Sequence, residues 1–107
     1  MLTQKSAIAK VQRFAKEIKK SGLQLRRIVL YGSYSRNEQH KWSDIDVAMV
    51  ADNFRGFGFY DIELFGKTLI QKSFCNIQPR TYNTKDFTPE RDPFVEEILR
   101  TGIEIAA

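Results

Sequence analysis

Residues 26–50 contain two strand-length apolar runs, RRIVLY and SDIDVAMV, parted at Gly32-Ser33, and any fold for the chain has to bury both. Their β-branched content and length identify each as a strand, 26–31 and 43–50. The connection between them is too short for a crossover helix, so residues 33–39 read as a short helix or turn. Before them, Ile8, Val11, Phe14, Ala15 and Ile18 recur at spacings of three and four, with Thr3 placed to cap the helix and Ser21-Gly22 to end it. After them, ADNFRGFGFYD reads as a loop, and Ile62, Phe65 and Leu69 predict a second amphipathic helix over about 60–72. FCNIQPRTY (74–82) is a third strand, with Pro79 at an edge. A last helix has Pro93 in its first turn and Gly102 just past its end. The order α-β-turn-β-α-β-α allows a parallel crossover only between strands two and three. It predicts an α+β fold: a small mixed β-sheet with helices packed on one side.

At 107 residues and 42% apolar content the chain reads as a single domain, 1–107, with one core. No apolar run reaches the roughly 18 residues of a membrane span, and the N-terminus lacks a signal-peptide core, so a cytoplasmic protein without a membrane partner is expected. The lone Cys75 cannot close an internal disulfide and is expected as a buried strand thiol. Charge is uneven. Residues 1–41 carry ten Lys or Arg against Glu17 and Glu38, a balance of +8, while the remainder carries seven against eleven, a balance of −4. The basic third suits an acidic or polyphosphate partner, or is an ordinary solvated helix face.

Asp44 and Asp46 stand at i and i+2 of the second strand, which places both carboxylates on one face. At about 5 Å they would repel by roughly 3 kcal/mol at an effective dielectric near 20. A basic neighbour, solvent or a hard cation must offset that, and Mg²⁺ is held by one or two carboxylates together with substrate phosphates. Taken alone, the pair reads more readily as a strand-ending Asp44 and an Asp46 paired with arginine. Gly32-Ser33 adds a turn whose backbone N–H groups and hydroxyl face an anion, and Arg36 adds charge from the same turn. Together they form a triphosphate-plus-magnesium arrangement. His40 is expected in solvent. Tyr34 and Trp42 are expected to pack at the edge of the core, although either could stack on a base. Arg80 reads as a surface ion pair or a phosphate ligand. Phe57–Tyr60 reads as a helix cap packed on the core in preference to a mobile flap.

The stretch LYGSYSRN…WSDIDVAMV resembles the Gly-Ser-x10-Asp-x-Asp signature of the minimal nucleotidyltransferases, in the polymerase-beta-like nucleotidyltransferase superfamily. Gly32, Ser33, Asp44 and Asp46 match its fixed positions. Asn37 stands where glycine is usual, a mild change because Asn tolerates a left-handed backbone. The resemblance implies a palm-like fold and a Mg²⁺-dependent transfer of NMP from an NTP such as ATP, with two metal ions. Asp44 and Asp46 would be the catalytic metal ligands, and Gly32, Ser33, Arg36 and Ser43 the nucleotide-binding residues. It also places a third carboxylate on the next strand, where this chain has Gln78, with neutral Asn76 two residues earlier. An amide carries no charge and accepts no proton at neutral pH. Weakened activity, a catalytically degenerate nucleotide- or partner-binding protein, or substitution by Asp86 follow as alternatives. Short members of the family act as antitoxins that adenylylate a tyrosine of a HEPN-type toxin, so such a partner is implied. A nucleic-acid partner is the less favoured reading, and an oligomer is compatible with all of these.

Overall fold

The structure is a computed structural model and describes residues 2–105. Helix α1 (Gln4–Lys20) starts where expected: Thr3 Oγ1 accepts from Ser6 N at 3.1 Å while Thr3 N donates to Ser6 Oγ at 2.9 Å. Lys19 and Lys20 complement the helix dipole in the last turn. Its apolar stripe, Ala7, Val11, Phe14, Ala15 and Ile18, is fully buried.

The strands are β1 (Arg27–Tyr31), β2 (Ile45–Ala51), β3 (Ile77–Asn83) and β4 (Ile103–Glu104), in the sheet order β3-β2-β1-β4. β1 pairs antiparallel with β2 and β4, and β2 pairs parallel with β3, as the intervening helical segment requires. Ile45 N donates to Asn76 O at 2.9 Å, so the even-numbered residues of β3 bond towards β2. Pro79, which has no N–H, therefore lies on the open edge, where its missing donor costs nothing.

Helices do not all sit on one side, which corrects the expected layering. Ile28, Leu30, Val47 and Met49 face α1, whereas Val29, Ala48, Val50 and Tyr82 lie under Phe87 and the Val95 and Ile98 of α4 (Pro93–Thr101). β2 reads as a near-continuous apolar run because both its faces are covered. The chain leaves α4 at Gly102, where a Cβ would collide with Ile98 O and lie 2.6 Å from Val29 Cγ1. Only glycine lets it turn back to form β4.

The expected helix over 60–72 is broken. In its place stand two single turns, α2 (Gly58–Asp61) and α3 (Gly66–Leu69), separated by a 3₁₀ turn at Ile62–Leu64. The segment breaks at Phe65, at φ −142°. The Asp61 carboxylate is buried and accepts from Arg55 N at 2.8 Å, Gly56 N at 2.9 Å and Thr81 Oγ1 at 2.6 Å, pinning the preceding loop to β3. Phe65 and Leu69 still reach the core, Phe65 against Phe54 at 5.8 Å between centroids. Asp61→Ala leaves three donors without their acceptor and is expected to cost about 3 kcal/mol, read as a shift in the denaturant midpoint at unchanged slope.

A 3₁₀ turn at Lys72–Phe74 delays β3 to Ile77, so Cys75 is exposed and not a buried strand thiol. Phe57 does precede α2 as a cap position, but Phe57, Phe59 and Tyr60 are exposed, Phe59 by 86%, rather than packed on the core. Trp42 is likewise exposed, while Tyr34 is buried as expected and His40 lies in solvent. Among the described residues no helix is long and apolar enough to cross a membrane.

Candidate functional site

The end of β1 and the start of β2 build the site. Tyr31 pairs with Asp46, and the chain then leaves the sheet through Gly32 at φ +77°. A Cβ there would collide with Asp46 Oδ2 and lie 3.2 Å from its Cγ. The missing side chain is the space the carboxylate occupies. Residues 33–37 form a turn, closed by Arg36 N to Gly32 O (3.3 Å), Glu38 N to Ser33 O (2.8 Å) and Ser35 Oγ to Gly32 O (2.9 Å). Gln4 of α1 donates to Tyr34 O and Ser35 O at 3.0 and 3.2 Å, tying the turn to the first helix. Asn37 has φ +56°, the left-handed conformation anticipated for a residue in place of glycine.

Asp46 is half-buried, and its carboxyl group is raised above the usual carboxylate range. Burial is the main cause and the nearby charge of Asp44 the second, with Arg36 opposing both. Asp44 itself precedes the ladder and is exposed. The two carboxylates thus sense each other, yet they adjoin different clefts. Asp46 opens, with Gly32 and Arg36, into a cleft of 590 Å³ walled by Tyr31, Phe94 and Glu97. Asp44 lies in a second cleft of 500 Å³ with Ser43 and Trp42. Ser43 is already engaged structurally, its Oγ accepting from His40 N at 2.9 Å. Arg36 donates through Nε to Glu38 at 3.1 Å in solvent.

Gln78 is the register partner of Asp46 across the parallel β2–β3 pair, and it is exposed. Its α-carbon is therefore level with that of the half-buried aspartate, although Gln78 lines a separate cleft with Ile62, Phe65 and Ile70. Asn76 is held by Lys10 Nζ at 3.1 Å. Asp86 does not come to the site. It follows β3, beyond the Ala51–Asn83 end of a ladder whose other end carries Asp46, and lies 3.9 Å from Arg91. Among the described residues no three His, Cys, Asp or Glu side chains gather as a metal-sized group.

Sequence reasoning missed the aromatic wall. Tyr31 has its hydroxyl pushed up to about 12 by burial, with the Asp46 charge adding and Arg80 opposing. Arg80 lies 5.0 Å over the Phe94 ring and donates through Nε to Tyr82 Oη at 2.8 Å; that hydroxyl in turn donates to Asp92 Oδ2 at 3.1 Å. Alternation from Gln78 could have put Arg80 on this face. Nothing local could have brought α4 above it.

A protein-family model described as "Nucleotidyltransferase domain" matches residues 11–102. A crystal structure of a candidate nucleotidyltransferase from Sulfolobus solfataricus has the same fold, with a TM-score of 0.65 over 94% of this chain and 80% of that one. Sequence identity is 14%, so this likeness speaks for the fold alone. No protein of curated function matches the chain.

Proposed function

The chain belongs to the nucleotidyltransferase domain family, and from that premise we propose that it binds ATP with Mg²⁺ and transfers AMP to a hydroxyl acceptor through a weakened centre. By likeness to short antitoxins of the family, the acceptor is a tyrosine of a HEPN-type partner. The observation that carries the reading is the Asp46 carboxylate seated against the bare α-carbon of Gly32, at the mouth of a cleft shared with Arg36.

The donor set suits one hard cation. Two carboxylates that repel each other in the free protein would be neutralised by Mg²⁺, which fills its remaining positions with water and phosphate oxygens. When bound, the ion supplies charge neutralisation at the phosphates. Asp44 and Asp46 would hold it. Ser33 and the turn around it offer donors to the phosphate tail, and Arg36 adds a positive charge. The acceptor oxygen bonds to the α-phosphorus as the bond to the pyrophosphate oxygen breaks. The hydroxyl proton leaves to water, because the amide of Gln78, level with Asp46, has no basic atom to receive it. That same amide favours a second reading, a protein that binds nucleotide and partner without turnover.

Calorimetry tests the binding half. ATP is expected to bind with Mg²⁺ and to lose about 10- to 100-fold in affinity when Asp44 or Asp46 becomes Asn. Protons compete with the metal for Asp46, so affinity should rise with pH through the elevated Asp46 value and then level. Folding serves as the control. A raised folded-state value stabilises fully below the unfolded one and is lost as pH rises through the folded one, so Asp46→Asn should melt higher at pH 7. ATP affinity unchanged from the natural chain in both Asn variants would refute the proposal.

A further inference from the structure

Trp42 is the only tryptophan of the chain, and it is 79% exposed two residues before Asp44. Exposure alone says little, since Phe59 is exposed by 86%, but this ring is fixed beside an acidic pair and a cation. This one is built in place. Trp42 N donates to His40 Nδ1 at 3.2 Å, Ser43 N to His40 O at 3.0 Å, and His40 N to Ser43 Oγ at 2.9 Å, so the loop carrying the ring is closed on itself. The Lys41 ammonium lies 5.1 Å from the ring centroid. Ring and ammonium line the 500 Å³ cleft with Tyr34, Ser43, Asp44 and Asn76, and Lys10 adds a second cation through its bond to Asn76.

The two clefts on either side of the acidic pair differ in lining. The Asp46 cleft carries Arg36 with Glu96 and Glu97, both paired with Arg100, whereas the Asp44 cleft carries Lys41 and an open indole. Stacking on an aromatic face recognises a base without needing hydrogen bonds, and a neighbouring cation holds the phosphates attached to it. We infer that Trp42 is the stacking platform for the base of the nucleotide, with Lys41 and Asp44 flanking it, while the phosphates run past the acidic pair towards Arg36. This rests on the nucleotide reading above and adds where the base lies. The larger rings of purines stack more strongly, so ATP and GTP bind ahead of UTP and CTP.

Because Trp42 is the sole indole, its fluorescence in the full chain reports on this cleft alone. Titration with ATP and Mg²⁺ is expected to quench it saturably, with UTP doing so at about tenfold higher concentration. In calorimetry Trp42→Ala should weaken ATP binding by about tenfold and Trp42→Phe should recover most of it. In a transfer assay the loss falls mainly on KM. Heat of ATP binding with unchanged fluorescence, or equal affinity in Trp42→Ala, overturns this inference and leaves the nucleotide reading standing. Neither heat nor quenching sinks both. Quenching by a single-stranded oligoadenylate but not by ATP overturns it in favour of a nucleic-acid platform.

Discussion

Gly32→Ala is expected to abolish magnesium-linked ATP binding and to lower transfer by about a thousandfold. Two costs coincide there. At φ +77° an alanine is strained by about 1 kcal/mol or more, and its Cβ would lie where Asp46 Oδ2 now sits. The carboxylate has to move, because the new atom is fixed to backbone at the end of a paired strand. A displacement of about 1 Å in a catalytic group is enough for a hundredfold loss of rate, and the lost metal ligand adds to it. Folding is separable from function by a double-mutant cycle. Asp46→Ala removes the colliding oxygen, so Gly32→Ala should cost less stability in that background, while activity stays absent. Equal destabilisation in both backgrounds, measured by denaturant midpoints, would show that the glycine serves the turn alone.

Gln78→Glu should act in the opposite direction, raising transfer by at least 10- to 100-fold over the natural chain. The register places position 78 level with Asp46, so a glutamate there adds a charge and a proton acceptor to the same end of the same two strands. Position 78 is exposed on an edge strand, so the substitution should leave the fold intact. The check is label transfer from radiolabelled ATP to an added HEPN-type protein. Transfer by both forms supports a slow enzyme, and transfer by the glutamate form alone identifies the natural chain as a nucleotide-binding relative that has lost turnover. Failure of both would refute the reading of position 78 as the vacant carboxylate. Because the extra carboxylate also repels Asp46, the variant should melt somewhat lower without Mg²⁺ and recover with it.

Local chemistry made much of this legible in advance. Thr3 and Ser21 bound α1 because caps and apolar spacing act within four residues. Asn37 sits left-handed, as its side chain allows, and the Gly-Ser…Asp-x-Asp spacing was readable because its parts lie within fifteen residues. Where local signals met a distant partner, they failed. Ile62, Phe65 and Leu69 have helical spacing, yet the segment breaks at Phe65, at φ −142°, while Asp61 ties the preceding loop to Thr81 of β3. Trp42 was expected against the core because indoles usually are, and its loop closes on His40 and Ser43 instead.

From the sequence alone came the first three strands, the terminal helices and the Gly-Ser turn with the acidic pair that follows it, because alternation, capping and backbone freedom are properties of neighbouring residues, whereas β4 was missed. Only the tertiary structure decided that α4 crosses to the second face, that Phe94, Glu96 and Glu97 wall the Asp46 cleft, and that Gln78 stands level with Asp46. Those depend on which apolar faces bury one another across the sheet, and that is settled by packing between segments far apart in the chain.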